Sequence, residues 1–247
     1  MTSAKSAPSA AASKEKPKAK SPKAGSPKAK SPKQRLTAER VIDGAMGLAD
    51  EIGTAGLTIR KLADHLDTKP MTIYHHVAGK EAILDGIVDR VFAQIDKPPT
   101  DLGWKAAMRH RCISAREILG NHPWAAPLME SRVHPGPETL SHHDAVLGCL
   151  RCGGLSWQMT GHAYALLDAF VYGFALQEAA IPATGGEEME ELAESVIEPM
   201  PEGLYPNLIE FTIEHVLQPG YDFRQEFEYG LDLILDALEV TVDGQQP

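Results

Sequence analysis

LTIRKLADHLDTKPMTIYHHVAGK, residues Leu57 to Lys80, is the stretch whose reading decides the fold. Ile59, Leu62, Ala63 and Leu66 follow the three-to-four spacing of a buried helical stripe, and the pattern resumes as Met71, Tyr74 and Val77 after a break at Asp67-Thr68. That interruption calls for two short helices at a tight turn. Thr58 is placed to cap the first through its hydroxyl, with Leu57 and Leu62 forming an apolar staple across the entry. Pro70 suits the first position of the second helix, where its missing N–H is no loss. Lys69 then stands at the cap, and Met71, Thr72, His75 and His76 lie on the first two turns. Two helices so arranged read as a DNA-binding helix-turn-helix, whose second helix reaches base edges in the major groove.

Working outward, Thr37 caps a supporting helix with Leu36 and Val41 as its staple. Its inner stripe is Val41, Ile42, Ala45, Leu48, Ala49 and Ile52, and Gly53 and Gly56 end it. Downstream, Lys80 to Ile95 carries Ile83, Leu84, Ile87, Val91 and Ile95 at helical spacing, a fourth helix joining the reading head to the rest.

The pattern G-x-x-x-L-T-x-R-K-L-A from Gly53, followed by MTIYHHV (Met71 to Val77) and Lys80, resembles the N-terminal domain of the tetracycline-repressor (TetR) family of transcriptional regulators. HPWAAPLM (His122 to Met129) and EFEYGLDLILDALE (Glu226 to Glu239) resemble that family's C-terminal ligand domain. The resemblance implies an all-α homodimer: a helix-turn-helix domain binds a double-stranded operator, and a larger helical domain binds a small-molecule effector and dimerises. Matching positions put DNA contacts at Thr58, Arg60, Lys69, Pro70, Met71, Thr72, Tyr74, His75, His76 and Lys80. The Arg60 guanidinium fork suits guanine's two major-groove acceptors. Tyr74 and Lys80 suit phosphates, which fix register without reading sequence. Met71 offers apolar contact to a thymine methyl. Asp67 stands where the family has Gly in the inter-helix turn, and Asp tolerates the left-handed backbone such a turn needs.

Charge divides the chain. Residues 1–36 hold nine lysines and Arg35 against Glu15, a net of +9, so the overall net of −10 leaves −19 for the body. Residues 37–96 carry six basic and ten acidic side chains, a net of −4, so the reading head is not itself a basic protein. The repeats SPKAG, SPKAK and SPK from Ser21 onward bury no apolar surface and predict a disordered tail with polyproline segments, similar to the tails of linker histones. Such a tail either tracks phosphates beside the operator or is a solubilising extension. Deleting residues 1–33 flattens the salt dependence of DNA binding only in the first case. The expected organisation is a tail over 1–36, a DNA-binding domain with its connecting helix over 37–96, and an effector-binding and dimerisation domain over 97–247.

In the larger part, a helix is expected from Trp104 to Asn121 with Ala107, Met108, Ile113 and Ile118 inward. Turns follow over VHPGPETL, then a helix from Leu140 to Arg151 and a long one from Ser156 to Ala180. The long helix is apolar on nearly every side (Tyr164, Leu166, Leu167, Phe170, Val171, Tyr172, Phe174, Leu176). The last helix, Phe223 to Val242, has its own wide stripe of Phe227, Leu231, Ile234, Leu235 and Leu238. Pairing both with their symmetry mates gives a four-helix bundle, with an intramolecular core as the plainer alternative. Dimerisation sets two reading helices about one DNA turn apart and predicts a pseudo-palindromic operator. Between those helices, the segment around Met189, Leu192, Val196 and Ile197 predicts an amphipathic helix with a solvated acidic face.

Met108, Arg111, Met129, His162, Leu166 and Phe170 are the expected effector contacts, each with a core reading beside it. The effector is expected to be other than tetracycline and less polar, because Lys97 and Met129 fall near positions where that repressor uses histidines. Cys149 and Cys152 form a lone C-x-x-C with Cys112 elsewhere, which predicts reduced thiols and no metal. His142-His143 predicts a polar surface pair. No nucleophile elbow, P-loop, dinucleotide fingerprint or zinc-protease motif is present, so neither an enzyme nor a bound cofactor is expected. The longest apolar stretch, 163–181, is interrupted by Asp168, Gln177 and Glu178, so the expectation is a cytoplasmic protein without membrane contact. The competing reading is a nucleoid-type protein that uses its tail with little sequence preference.

Overall fold

The Thr37 hydroxyl accepts the Arg40 N–H at 3.2 Å and starts helix α1, Ala38–Gly56. In this computed structural model residues 35–201 and 203–243 are described, with side chains to residue 239. Expectations about the tail fall almost wholly on 1–34 and lie outside the described residues. Val41, Ala45, Leu48 and Ala49 of α1 are buried as the stripe requires, and Met46 joins them. Ile52 does not. At Gly53 the backbone turns to φ +71°, swings out of the helix just past Ile52, and leaves that side chain 41% exposed beside Gly56.

Helix α2 spans Ile59–His65, with the Thr58 hydroxyl accepting the Lys61 N–H at 3.2 Å, a cap worth about 1 kcal/mol. Asp67 takes the left-handed conformation at φ +47°, and the Thr68 N–H returns to the Ala63 carbonyl at 2.9 Å. Helix α3, Pro70–Tyr74, begins on its proline with Lys69 at the cap. The inward residue of α3 is Ile73, fully buried, while Met71 and Tyr74 are 66% and 50% exposed. The inward stripe expected through Met71, Tyr74 and Val77 is therefore corrected at Met71 and Tyr74, while Val77 packs half-buried on the core. A five-residue helix presents one inward position, Ile73, and it packs against α2.

Helix α4, Lys80–Phe92, buries Ile83, Leu84, Ile87 and Val91 as expected, and Ile95 just beyond it. Val88 and Phe92 are buried as well, so α4 is covered on two sides. One side meets α1 so closely that a Cβ on Gly86 would lie 2.5 Å from Ile42 Cδ1. The other meets α6, Ala125–Met129, and α7, Pro137–Cys152. Helix α7 begins ahead of the expected Leu140, since Pro137 occupies its first turn and turns PETL into helix.

Helix α5, Trp104–Asn121, keeps its expected ends, but its inner face is Ala107, Met108, Arg111, Cys112, Ala115 and Leu119, with Ile113 and Ile118 half-buried. Helix α8, Trp157–Ala180, is capped by the Ser156 hydroxyl on the Met159 N–H and packs on α5, α7 and α11, Gln225–Asp243. An aromatic cluster welds α8 to α11: Phe174 stacks on Phe223 at 4.8 Å and Phe170 on Phe227 at 5.3 Å, with the Arg116 guanidinium 5.0 Å over Phe227. On the outer side of the same two helices Leu166 (49%), Leu176, Tyr229 (68%) and Leu233 remain exposed. Between α8 and α11 run α9, Gly186–Ile197, and α10, Pro206–Phe211, which continues through a wider π-helical turn to Val216. Met189 and Ala193 are the buried residues of α9, and Val196 stays exposed. The fold is all-α, and no helix among the described residues is long and apolar enough to cross a membrane.

Candidate functional site

Two features stand out, a polar ledge on α2 and α3 and a cavity in the larger part. On the ledge, Thr58, Arg60, Lys69, Pro70, Met71, Tyr74, His75 and Lys80 are exposed, and Thr72 and His76 half-exposed. Arg60, Lys69 and Lys80 make no ion pair among the described residues. Ile73 and Leu62 anchor the ledge from beneath, so its cations sit on a rigid base.

The cavity, of about 790 Å3, is walled by α4 (Asp85, Val88, Phe92), the turn from α6 to α7 (Arg132), α7 (Thr139, His143) and α8 (Tyr164, Asp168, Tyr172). Its size is that of a site for a drug-like molecule. Of the expected contacts, Met129 lines it. Arg111 lies one layer behind: its Nη1 is 2.8 Å from Asp168 Oδ1 and its Nε donates to His142 Nε2 at 3.0 Å. The other four stand elsewhere. Met108 is fully buried in the α5 core, His162 and Leu166 face outward from α8, and Phe170 is taken up in the aromatic cluster. Asp168, Tyr164, His143 and Arg132 were not anticipated. A carboxylate within an otherwise apolar helix was the available signal for Asp168, which is 9% exposed.

His142-His143 is not a surface pair. His142 is 1% exposed, and burial, reinforced by Arg111, pushes its pKa down to about 3, so it is neutral. His143 is half-buried, lowered chiefly by burial, and hydrogen-bonded through Nδ1 to the Tyr164 hydroxyl. Burial also raises Tyr164 and Tyr172, which stay protonated. Burial disfavours the Arg111 charge, but the Asp168 carboxylate outweighs it and the guanidinium stays ionised. Cys149 is half-buried, its thiol pushed up to about 11 by burial, and Cys152 is exposed.

Polar contacts tie the cavity wall to the head. Arg132 Nη1 donates to Glu81 Oε2 at 2.8 Å and Asp85 Oδ1 at 3.4 Å on α4. Asp89 Oδ1 accepts the Thr139 N–H at 2.8 Å and its hydroxyl at 2.9 Å. Asp50 Oδ1 on α1 accepts Trp124 Nε1–H at 2.7 Å and lies 2.7 Å from His122 Nδ1.

Comparison with known proteins places both parts. Residues 41–87 match the family model "Bacterial regulatory proteins, tetR family", and residues 97–242 match "Tetracyclin repressor-like, C-terminal domain". The chain is 33% identical over 218 residues to the HTH-type transcriptional repressor DrrR1 of Streptomyces coeruleorubidus, across 84% of this chain and 78% of that one. It is 28% identical to the class A tetracycline repressor of Escherichia coli, across 83% and 91%. Its fold superposes on Streptomyces coelicolor ActR in complex with actinorhodin with a TM-score of 0.69 and 27% identity, across 85% of this chain and 99% of that one. With a head and a ligand domain both matched, the chain belongs to the TetR family of DNA-binding transcriptional regulators.

Proposed function

We propose that this protein is a repressor that holds a pseudo-palindromic operator as a homodimer and leaves it when a small molecule fills the cavity walled by α4, α7 and α8. The observation that carries the reading is the double burial of α4. Ile83 and Ile87 are fixed in the core of the reading head, while Asp85, Val88 and Phe92 of the same helix form a cavity wall. A ligand that presses on that wall moves the head with it, which is the unequal affinity for two states that regulation requires. Relatives support both ends: DrrR1 is described as a transcriptional repressor, and ActR holds actinorhodin.

In this reading residues 37–96 are the DNA-binding unit and 97–247 the effector-binding and dimerising unit. Arg60 reads a base edge, Tyr74 and Lys80 hold phosphates, and the other exposed residues of α3 complete the contact. The exposed Leu166, Leu176, Tyr229 and Leu233 on α8 and α11 meet their copies in a four-helix bundle, which spaces the heads one DNA turn apart. The test selects fragments of the source genome with the purified protein, then screens small molecules by thermal shift. A compound that raises the melting temperature is expected to release the selected DNA in a mobility-shift assay. Cavity ligands that reach Val88 and Phe92 on α4 and still leave DNA affinity unchanged overturn the proposal.

A further inference from the structure

Two polar atoms on the cavity wall are buried without a hydrogen-bond partner. Asp168 Oδ1 forms an ion pair with Arg111 Nη1 at 2.8 Å but accepts no hydrogen bond of good geometry. Arg132 Nε is likewise unpartnered, because the contacts of that guanidinium to Glu81 and Asp85 run through Nη1. A buried acceptor and a buried donor left unsatisfied are costly, and a ligand that supplies the complementary groups recovers that cost on binding. Between them the wall is aromatic: Phe92 and His143 lie 5.3 Å apart between ring centroids and His143 and Tyr164 5.6 Å, with Tyr172 beside them.

Charge narrows the ligand further. Asp85, Glu130 and Asp168 line the cavity against the single guanidinium of Arg132, which is already shared by Asp85 and Glu81. Arg111 balances Asp168 from behind, so the wall keeps an excess of negative charge. A carboxylate entering it meets repulsion at low dielectric, whereas a neutral or cationic group does not.

We infer that the effector is a flat aromatic molecule without net negative charge that offers a hydrogen-bond donor to Asp168 and a carbonyl-type acceptor to Arg132. This rests on the reading of the cavity as the effector site.

The test uses full-length protein and three probes on one scaffold, 2-aminoanthraquinone, unsubstituted anthraquinone and anthraquinone-2-carboxylate, with dissociation constants measured by fluorescence titration. The amine is expected to bind at least about tenfold tighter than the carboxylate, with the unsubstituted ring between them. Asp168→Asn is expected to shrink that advantage to about threefold or less. Because loss of Asp168 leaves Arg111 buried and uncompensated, its melting curve is recorded alongside, and Glu130→Gln, at an exposed position, serves as the second variant and narrows the gap in the same direction. Equal affinities, a tighter carboxylate, or no binding by any probe overturns the inference. Operator release is scored separately. Selective binding of the amine, with no release of the operator by any ligand of the cavity including ones that reach α4, leaves the recognition standing and defeats the repressor mechanism. Release of the operator by some other compound, with no preference among the probes, does the reverse.

Discussion

Asp89 on α4 and Thr139 on α7 share a two-pronged hydrogen bond, in which one carboxylate oxygen accepts both the backbone N–H and the hydroxyl of the threonine. Thr139 lines the cavity and α4 packs into the reading head, so under the proposed function the pair stands where ligand contact becomes head movement. The fit is close: a Cβ on Gly136 would sit 2.3 Å from the Asp89 carboxyl carbon.

Replacing Asp89→Ala is expected to destabilise the fold by about 1–3 kcal/mol in chemical denaturation, because the Thr139 N–H and hydroxyl lose their acceptor. The ligand concentration that releases half the DNA is expected to rise about tenfold while direct ligand affinity changes by less than about threefold. Ligand affinity falling in step with release would place Asp89 in binding rather than in transmission.

Arg60→Ala is expected to leave the melting temperature unchanged, since the side chain is exposed, and to weaken operator binding by about 1–3 kcal/mol in anisotropy titrations. The loss falls on operator DNA more than on random DNA if Arg60 reads a base. An equal loss on both would make it a phosphate contact.

His142 gives a pH signature. Its pKa falls from 6.5 to about 3 on folding, so the unfolded chain binds the proton more readily. The stability this group contributes is complete above pH 6.5 and is lost as pH falls toward 3, by about 1.4 kcal/mol per unit within that window. His142→Gln keeps an acceptor for Arg111 Nε and does not titrate, so its stability is expected to vary less with pH over that range in denaturant titrations. An unchanged slope would remove His142 as the cause.

Leu233→Glu puts a charge on the exposed apolar face shared by α8 and α11. It is expected to yield monomers in sedimentation velocity and to lower operator affinity by an order of magnitude or more, because two heads no longer bind one site together. A dimer of unchanged stability would place the interface elsewhere.

Local chemistry made the helix starts legible in the sequence. Thr37 and Thr58 cap the helices they were expected to cap, Pro70 opens α3, and Asp67 takes the left-handed turn. These effects are decided within four residues. The phase of short elements was not legible: periodicity brought Met71 and Tyr74 inward, while packing against α2 chose Ile73. The cavity was least legible, because its wall is drawn from α4, α7 and α8, far apart in the chain. His142 reads in sequence as half of a surface pair, but Arg111 on α5 donates to it in the interior, and Leu166 reads as interior, but α8 turns it outward.

Only part of the cavity belongs to α4. A compound small enough to rest against His143, Tyr164 and Asp168 without pressing on Val88 or Phe92 would occupy the site and leave the heads where they were. Under the proposed function occupancy and induction are therefore separable: the chamber that admits an inducer would also admit silent competitors, and a molecule's reach toward α4, rather than its tightness, sorts one from the other.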